Sequence, residues 1–563
     1  MAIDNESLEF FVKLSKVWGN FNEYNFFKEI ELSPEQIKVV EYEDEQMLIE
    51  GCAGTGKSIT LLYKFIKTLI NENNKKILYV TFNNILIEDT KKRLETCNEF
   101  NDNKKKHDIR ICTFHDIACE ILKSIKVIDK KLGKLTANKI ENHRETAFRR
   151  IAAILANYKD DFSLIYKNLF KEERLYKTHD ASFIRDEIFW MKANGIVNKN
   201  DYLSVKRSGR SQSIRLTVAQ RNTVFKIFEE YQSQLKDKFH NHLDLEDYAL
   251  EIIKNYYMNR LEDNKFDYIF VDELQDLDPM QLKALCLLTK KSIVVSGDSR
   301  QKIYKKSPLT YERIGFKIHE KGRHKILNKN YRSTAQIIKL ANELNFSDND
   351  TAKYKEKNFI KQGKKPIIAL FQSEKGAINY VSKMINEIFE KDTKKTIAIV
   401  HREDLKPKYK YKKSIRRILL EQKILTGFSD IYNYSKRFEH IGNKQIFYTN
   451  PYDVKGLEFD IVFILDFNYK YYPNYLEIKE INENLEGKDK DLIDKDIEQV
   501  INMEKRLFYV AMTRAKSELY IIANGCKRIA QISKFILDFN SDNYINKNFL
   551  KKDIEKMKFL RDI

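Results

Sequence analysis

The stretch IEGCAGTGKSIT, Ile49 to Thr60, constrains this chain more than any other. Gly51-Cys-Ala-Gly-Thr-Gly56-Lys57-Ser58 fits the spacing G-x-x-x-x-G-K-[S/T] without a mismatch. Gly51, Gly54 and Gly56, with Thr55 between them, let the backbone wrap closely around phosphate oxygens and aim several N–H groups inward. Lys57 is then placed to reach β and γ phosphates, and the Ser58 hydroxyl to hold Mg²⁺. The flanks agree with this. EQMLIE ahead of the loop reads as a short buried strand, and Leu62, Phe65, Ile66, Leu69 and Ile70 recur behind it at helical spacing. Strand, loop and helix in that order bring a positive helix N-terminus to the phosphates.

A chain of 563 residues is long enough for roughly three or four compact units. Apolar strand-like runs fall into two groups: KKILYVTF, IRICTFH, DYIFVDE and KSIVVSGD, then KTIAIVHR, KQIFYTN, DIVFILDF and ELYIIANG. Between Phe114 and Asp267 the pattern is helical and charged. The parse is an α/β protein with two sheets and a helical insertion in the first. With seven prolines and 17 glycines, long flexible linkers are not expected. No apolar run approaches the length of about 18 residues that a membrane span needs, and the start MAIDNESLEFF is polar and acidic. A soluble, cytoplasmic protein is the expectation. Cys52, Cys97, Cys112, Cys119, Cys286 and Cys526 show no metal-ligand spacing and read as reduced thiols. The net charge of +19 permits an anionic partner, nucleic acid first. A Lys-, Ile- and Asn-rich composition would produce the same charge without one.

A phosphate loop hydrolyses nothing alone; it needs a carboxylate for the metal and a base for water at the end of a neighbouring strand. FDYIFVDELQD offers both, with Tyr268 to Val271 as the strand, Asp272 for Mg²⁺ and Glu273 to polarise the attacking water. VVSGDSRQKIY places Gln301 after another strand, where its amide can sense a γ phosphate. LNKNYRST holds Tyr331, able to stack on an adenine face, beside Arg332, able to stabilise charge on a transferring phosphoryl group. EKRLFYVAMTRAKSELYI sets Arg514 immediately before a strand.

In order, LSPEQ, GCAGTGKS, VTFNN, TFH, VDELQD, GDSRQKIY, NYRST, VKGLEFD and FYVAMTRAK resemble a superfamily 1 helicase of the UvrD/Rep/PcrA type, from Leu32 to about Gly525. The resemblance implies two RecA-like P-loop NTPase core domains with a helical insertion in the first. Residues 1–115 and 245–325 would form the first domain, 116–244 the insertion, 326–540 the second domain, and 541–563 a C-terminal tail. It implies Mg·ATP as fuel and movement 3′ to 5′ on single-stranded DNA. Residue by residue, Gln36 would read the adenine edge, although Ser33-Pro-Glu-Gln36 is equally a helix capping box. Gln301, Arg332 and Arg514 would contact the γ phosphate, Tyr331 would stack on the base, and Glu458 would hold the ribose. Phe82, Thr113, His115 and Tyr304 match positions that contact single-stranded DNA. His115 also reads as a histidine satisfied within the fold, and Phe82 as core.

The chain departs from that family in three places. Lys305-Lys306-Ser307-Pro308 follows Tyr304 where the family has Gly-Trp-Arg-Gly, and Asn450-Pro451-Tyr452 stands in place of T-x-H. Large members also insert a whole domain before KGLEF, which contacts duplex DNA near the fork. Here about 40 residues, Asp404 to Lys444, occupy that place. They include KPKYKYKKSIRR, Lys406 to Arg417, seven basic residues with two tyrosines, which either tracks a phosphate backbone or is a solvated helix start. Two readings of the whole follow. One is an ATP-dependent DNA translocase or helicase. The other is a regulatory NTPase subunit that works with a partner nuclease, as UvrD-like subunits of antiphage systems such as Gabija do. DNA against RNA stays open.

Overall fold

The computed structural model describes residues 26–27, 30–52, 54–129, 135, 137–177, 179–205, 216–239, 242–298, 310–320, 322–347, 361–403, 413–431, 434, 444–483 and 490–562. Two six-stranded parallel sheets organise them. The first comprises β1 (Gln46–Gly51), β2 (Lys76–Val80), β3 (Asp108–Cys112), β4 (Phe266–Val271), β5 (Thr289–Gly297) and β6 (His324–Leu327), in the order β3-β2-β4-β5-β1-β6. The second comprises β7 (Ile367–Leu370), β8 (Thr396–Val400), β9 (Gln445–Thr449), β10 (Phe459–Ile464), β11 (Ala515–Ala523) and β12 (Ile545–Lys547), in the order β12-β7-β11-β10-β8-β9. Each is a RecA-like α/β unit covered by helices on both faces, which is why its strands read as unbroken apolar runs rather than alternating ones.

The helix after the phosphate loop, Lys57–Asn71, buries Leu61, Leu62, Phe65, Ile66 and Leu69 against the first sheet. Ile70, expected on that face, turns outward at 41 % exposure, and Leu61 takes the inner place. Helices Phe114–Ser124, Asp247–Tyr257 and Pro279–Leu287 cover the opposite face. The insertion read from sequence as 116–244 is therefore shorter: residues 116–124 pack on the sheet, because Ile117, Ala118, Ile121 and Leu122 lie on one stripe of their helix. Ala137–Lys159, Ala181–Ala193 and Val218–Asp237 close around a core of their own that includes Ile151, Ile188, Trp190 and Phe228. At the other end, the described part of the expected 541–563 tail, residues 541–562, belongs to the second unit. Ile545–Lys547 is its parallel edge strand on β7, and Tyr544 and Ile554 lie in its core.

The insertion is fastened to the first unit by a buried cation. Lys192, fully buried on helix Ala181–Ala193, donates to Asp244 Oδ2 at 2.6 Å and to Asp247 Oδ2 at 2.7 Å, and Tyr231 donates to Asp244 Oδ1 at 3.0 Å. Removing one partner of such a set leaves buried charge uncompensated. Lys192→Ala is expected to cost about 3–5 kcal/mol. Denaturant unfolding followed by Trp190 fluorescence, in a Trp18→Phe background, measures it.

Candidate nucleotide site between the two units

The loop after β1 needs glycine for two physical reasons. Gly54 and Gly56 sit at φ +85° and +80°, where side chains are strained. A Cβ on Gly54 would also lie 2.8 Å from the Asn330 amide and 3.0 Å from Arg332 Cβ. The segment after β6 thus rides directly on the loop, with the Tyr331 N–H donating to the Gly54 carbonyl at 2.9 Å. Helix Lys57–Asn71 starts at Gly56. The Lys57 ammonium is held inside the loop by the carbonyls of Gly51 and Cys52, at 2.8 and 2.9 Å. The Thr55 hydroxyl donates to the Cys52 carbonyl at 3.0 Å.

Ser58 donates to Asp272 Oδ1 at 3.1 Å, which brings the two candidate metal ligands together. The sheet order corrects one expectation: β4, which carries Asp272, is not the neighbour of β1, since β5 lies between them. β5 contributes to the site itself, as the Ser296 hydroxyl donates to the same Asp272 oxygen. Burial first, and Glu273 beside it, push the Asp272 carboxyl up, while Ser296, Ser58 and Lys57 pull it back. Glu273 is left-handed, φ 57° and ψ 49°, a conformation a non-glycine residue adopts at a cost. Gln275 donates its amide to the Glu273 carboxylate and accepts the Asp298 N–H at 3.0 Å.

The second unit delivers its cations to this strand end. Arg332 pairs with Glu458 Oε1, and Lys516 Nζ lies 3.5 Å from Glu458 Oε2. Burial opposes ionisation of Glu458, but Arg332, Lys516, Arg93 and Arg514 hold its carboxyl far below the usual range. Arg514 is 1 % exposed; its Nε donates to the Val510 carbonyl at 3.0 Å. Burial and then Arg332 pull its basicity down, against Glu273, Glu458 and Asp298, which hold it up. Residues more than 200 positions apart in sequence thus share one electrostatic site. Gln36 forms the capping box, its Oε1 accepting the Ser33 N–H at 2.9 Å, and its Nε2 also donates to the Thr55 carbonyl at 3.4 Å. The Tyr331 ring stands beside Ser33 and Glu35.

Residues 32–305 match the family model of the UvrD/REP helicase N-terminal domain, and residues 326–439 and 430–525 match the UvrD-like helicase C-terminal domain. The chain belongs to the UvrD/Rep helicase family. Among relatives, a probable DNA helicase II homolog of Mycoplasma capricolum is 26 % identical over 370 residues, covering 63 % of this chain and 46 % of that one. The ATP-dependent DNA helicase PcrA of Bacillus subtilis is 26 % identical over 56 % of this chain and 39 % of its own length. The ATP-dependent DNA helicase Rep of Buchnera aphidicola is 25 % identical over 55 % and 42 %. The matched part spans less than half the length of each relative.

The expected nucleic-acid contacts of this UvrD-like chain divide. Phe82, at the end of β2, is 38 % exposed and so not core. Thr113 is buried and spends its hydroxyl on the capping box of helix Phe114–Ser124, with Asp116 as its partner. His115 also has partners within the fold: its Nε2 meets the Leu245 carbonyl at 3.2 Å, and its ring packs on Tyr248. Gln301 and Tyr304, with Lys305 to Pro308, lie outside the described residues. The basic run is described from Lys413 onward. There Arg416 makes a double hydrogen bond to Asp466 and Arg417 pairs with Glu421, so these two arginines anchor their helix rather than face solvent.

Ser296, Gln275, Asn330 and Lys455 are partners at the site to which no motif spacing points. Each stands inside or beside a motif, but its role depends on which strands are adjacent and on how the units dock.

Burial pushes the His115 ring down to about 4 from 6.5. The unfolded chain therefore takes up the proton first. Stability tied to the neutral ring is present above pH 6.5 and is lost as pH falls toward 4. His115→Gln is expected to flatten the acid limb of unfolding free energy in that window by at most about 3 kcal/mol. Denaturant titrations at a series of pH values measure it.

Proposed function

We propose that this chain is an ATPase stimulated by single-stranded nucleic acid, DNA in the first place, that moves 3′ to 5′ along the strand. The observation that carries the reading is that Arg514 of the second unit is coupled electrostatically to Glu273, and Arg332 lies against Gly54, where Lys57, Ser58 and Asp272 of the first unit come together.

Lys57 and the backbone of Gly54 to Ser58 bind the phosphates, and Gln36 and Tyr331 flank the base end. Ser58 and Asp272 suit Mg²⁺: a hydroxyl and a carboxylate are hard oxygen donors, and one or two protein ligands are what that ion takes beside nucleotide phosphates. When bound there it would neutralise charge between phosphates. Glu273 orients the attacking water and accepts its proton. Arg332 and Arg514 stabilise charge on the transferring group, and Glu458 is the carboxylate that Arg332 can exchange for phosphate. Because these cations belong to the other unit, full coordination of ATP favours a closed cleft, and hydrolysis relaxes it. A cleft cycling once per ATP ratchets along a strand held across both units. Exposed Phe82 suits stacking on a base, worth about 1–3 kcal/mol and indifferent to sequence.

Lys57→Ala is expected to lose tight nucleotide binding, whereas Glu273→Gln keeps it and fails to hydrolyse. Arg332→Ala and Arg514→Ala should each lower stimulated turnover by about 10³-fold, with affinity falling less. Lys527→Ala, at an exposed position beyond the end of β11, is the control. Wild-type turnover in Glu273→Gln sinks the assignment of the base.

Single-stranded DNA of any sequence should stimulate hydrolysis, with binding weakened steeply by salt. Stimulation by RNA alone, with DNA inert, overturns DNA as the track. The short segment between β8 and β9 suits a motor without a large duplex-gripping domain. Vigorous turnover on single strands should therefore accompany poor unwinding of a long 3′-tailed duplex by the isolated chain. Processive unwinding by a demonstrated monomer contradicts that.

A further inference from the structure

We infer that Lys455 is a positioning residue for Glu273, acting across the cleft through Asp276; the inference rests on the proposed ATPase reading. Lys455, between the second-unit core residues Val454 and Leu457, makes an ion pair with Asp276 of the first unit. The two side chains are 5 % and 1 % exposed. Asp276 Oδ2 is buried without a hydrogen-bond partner among the described residues, so the charge balance of this carboxylate leans on Lys455.

Asp276 closes the turn that sustains Glu273. Its N–H donates to the Glu273 carbonyl at 2.9 Å, and the Leu277 N–H donates to the Leu274 carbonyl at 3.1 Å. Between them, Gln275 ties the Glu273 carboxylate to the backbone of Asp298. The strained backbone of Glu273 is thus held by three residues, the last of which is clamped from the other unit.

The segment that carries Lys455 docks tightly on the first unit. The next residue, Gly456, at φ +76°, lies so close to helix Asn84–Glu95 that a Cβ would meet both Leu86 Cδ atoms at 2.9 Å. The same segment is pinned on its far side by Tyr434, whose hydroxyl donates to the Glu458 carbonyl at 2.7 Å and accepts the Glu458 N–H at 2.9 Å. Lys455 therefore travels with the second unit. Opening the cleft withdraws its ammonium and leaves a buried carboxylate beside Glu273 without its counter-charge. The turn that aims Glu273 then loses its clamp, so water is directed when the units are closed.

The test is steady-state hydrolysis by the full chain on single-stranded DNA, with the affinity of a fluorescent ADP analogue and a thermal melt for each variant. Lys455→Gln should lower kcat by about 10²-fold, the scale of a misplaced reacting group. KM for ATP and bound analogue per chain should hold, as when an interaction made in the transition state is lost. Lys455→Arg should restore most of the rate. In Asp276→Asn/Lys455→Gln the loss should be smaller than the two single losses combined, since the residues act as one unit. Wild-type kcat in Lys455→Gln overturns the inference. So does a fall in kcat that tracks a fall in bound analogue per chain, or independent losses in the double variant. A wild-type chain without ATPase activity overturns the functional reading and this inference with it; the other outcomes, seen with an active wild type, overturn this inference alone.

Discussion

Three carboxylates crowd one buried strand end: Asp272, Glu273 and Asp276 lie within five residues after β4, an interior strand of the first sheet. Like charges so close, in a poorly solvated place, raise one another's cost of ionisation. Burial pushes Asp276 up to about 6 even with Lys455 against it. The nearby cation of the same unit, Lys57, spends two hydrogen bonds on loop carbonyls. Lys57 still lowers Asp272, and further countercharge comes from the second unit, as Lys455 and Arg514. An electrostatic problem posed by one sheet is answered by the other, and the docking of the two follows from it.

That docking has an apolar part as well. Ile85 and Leu86, on helix Asn84–Glu95 of the first unit, pack against the second unit's core. Arg93, about two turns further along the same helix, is coupled electrostatically to Glu458. This helix follows β2 directly, with exposed Phe82 just ahead of it. One element therefore touches the candidate strand-binding surface, the apolar interface and the Glu458 cluster. A rigid helix in that position can transmit small displacements between them, since packed cores are bistable rather than continuously deformable.

Much of this was legible beforehand. The strands with four or more consecutive apolar residues, such as Tyr268 to Val271, could be read because a parallel sheet buried on both faces demands such runs. β6 and β12 could not: they are short edge strands whose burial alternates or is partial, and their existence depends on a neighbour to pair with. Thr113 and His115 have partners within the fold that their motif does not show. A motif match put them on nucleic acid, while the buried cap on Asp116 and the carbonyl of Leu245 are partners that no spacing rule reveals.

By itself the sequence determined the glycine loop after β1, the carboxylate strand end and the order of motifs, because each is a local matter of backbone freedom and side-chain chemistry within about a dozen residues. It also determined that the chain makes two sheets, since apolar runs are countable. The tertiary structure alone decided which carboxylate meets which cation. Ser296 reaches Asp272 because β5 separates β1 from β4, and Lys455 reaches Asp276 because two cores dock with a glycine at the contact. Coulomb energy depends on distance and burial, and neither quantity is written along a chain.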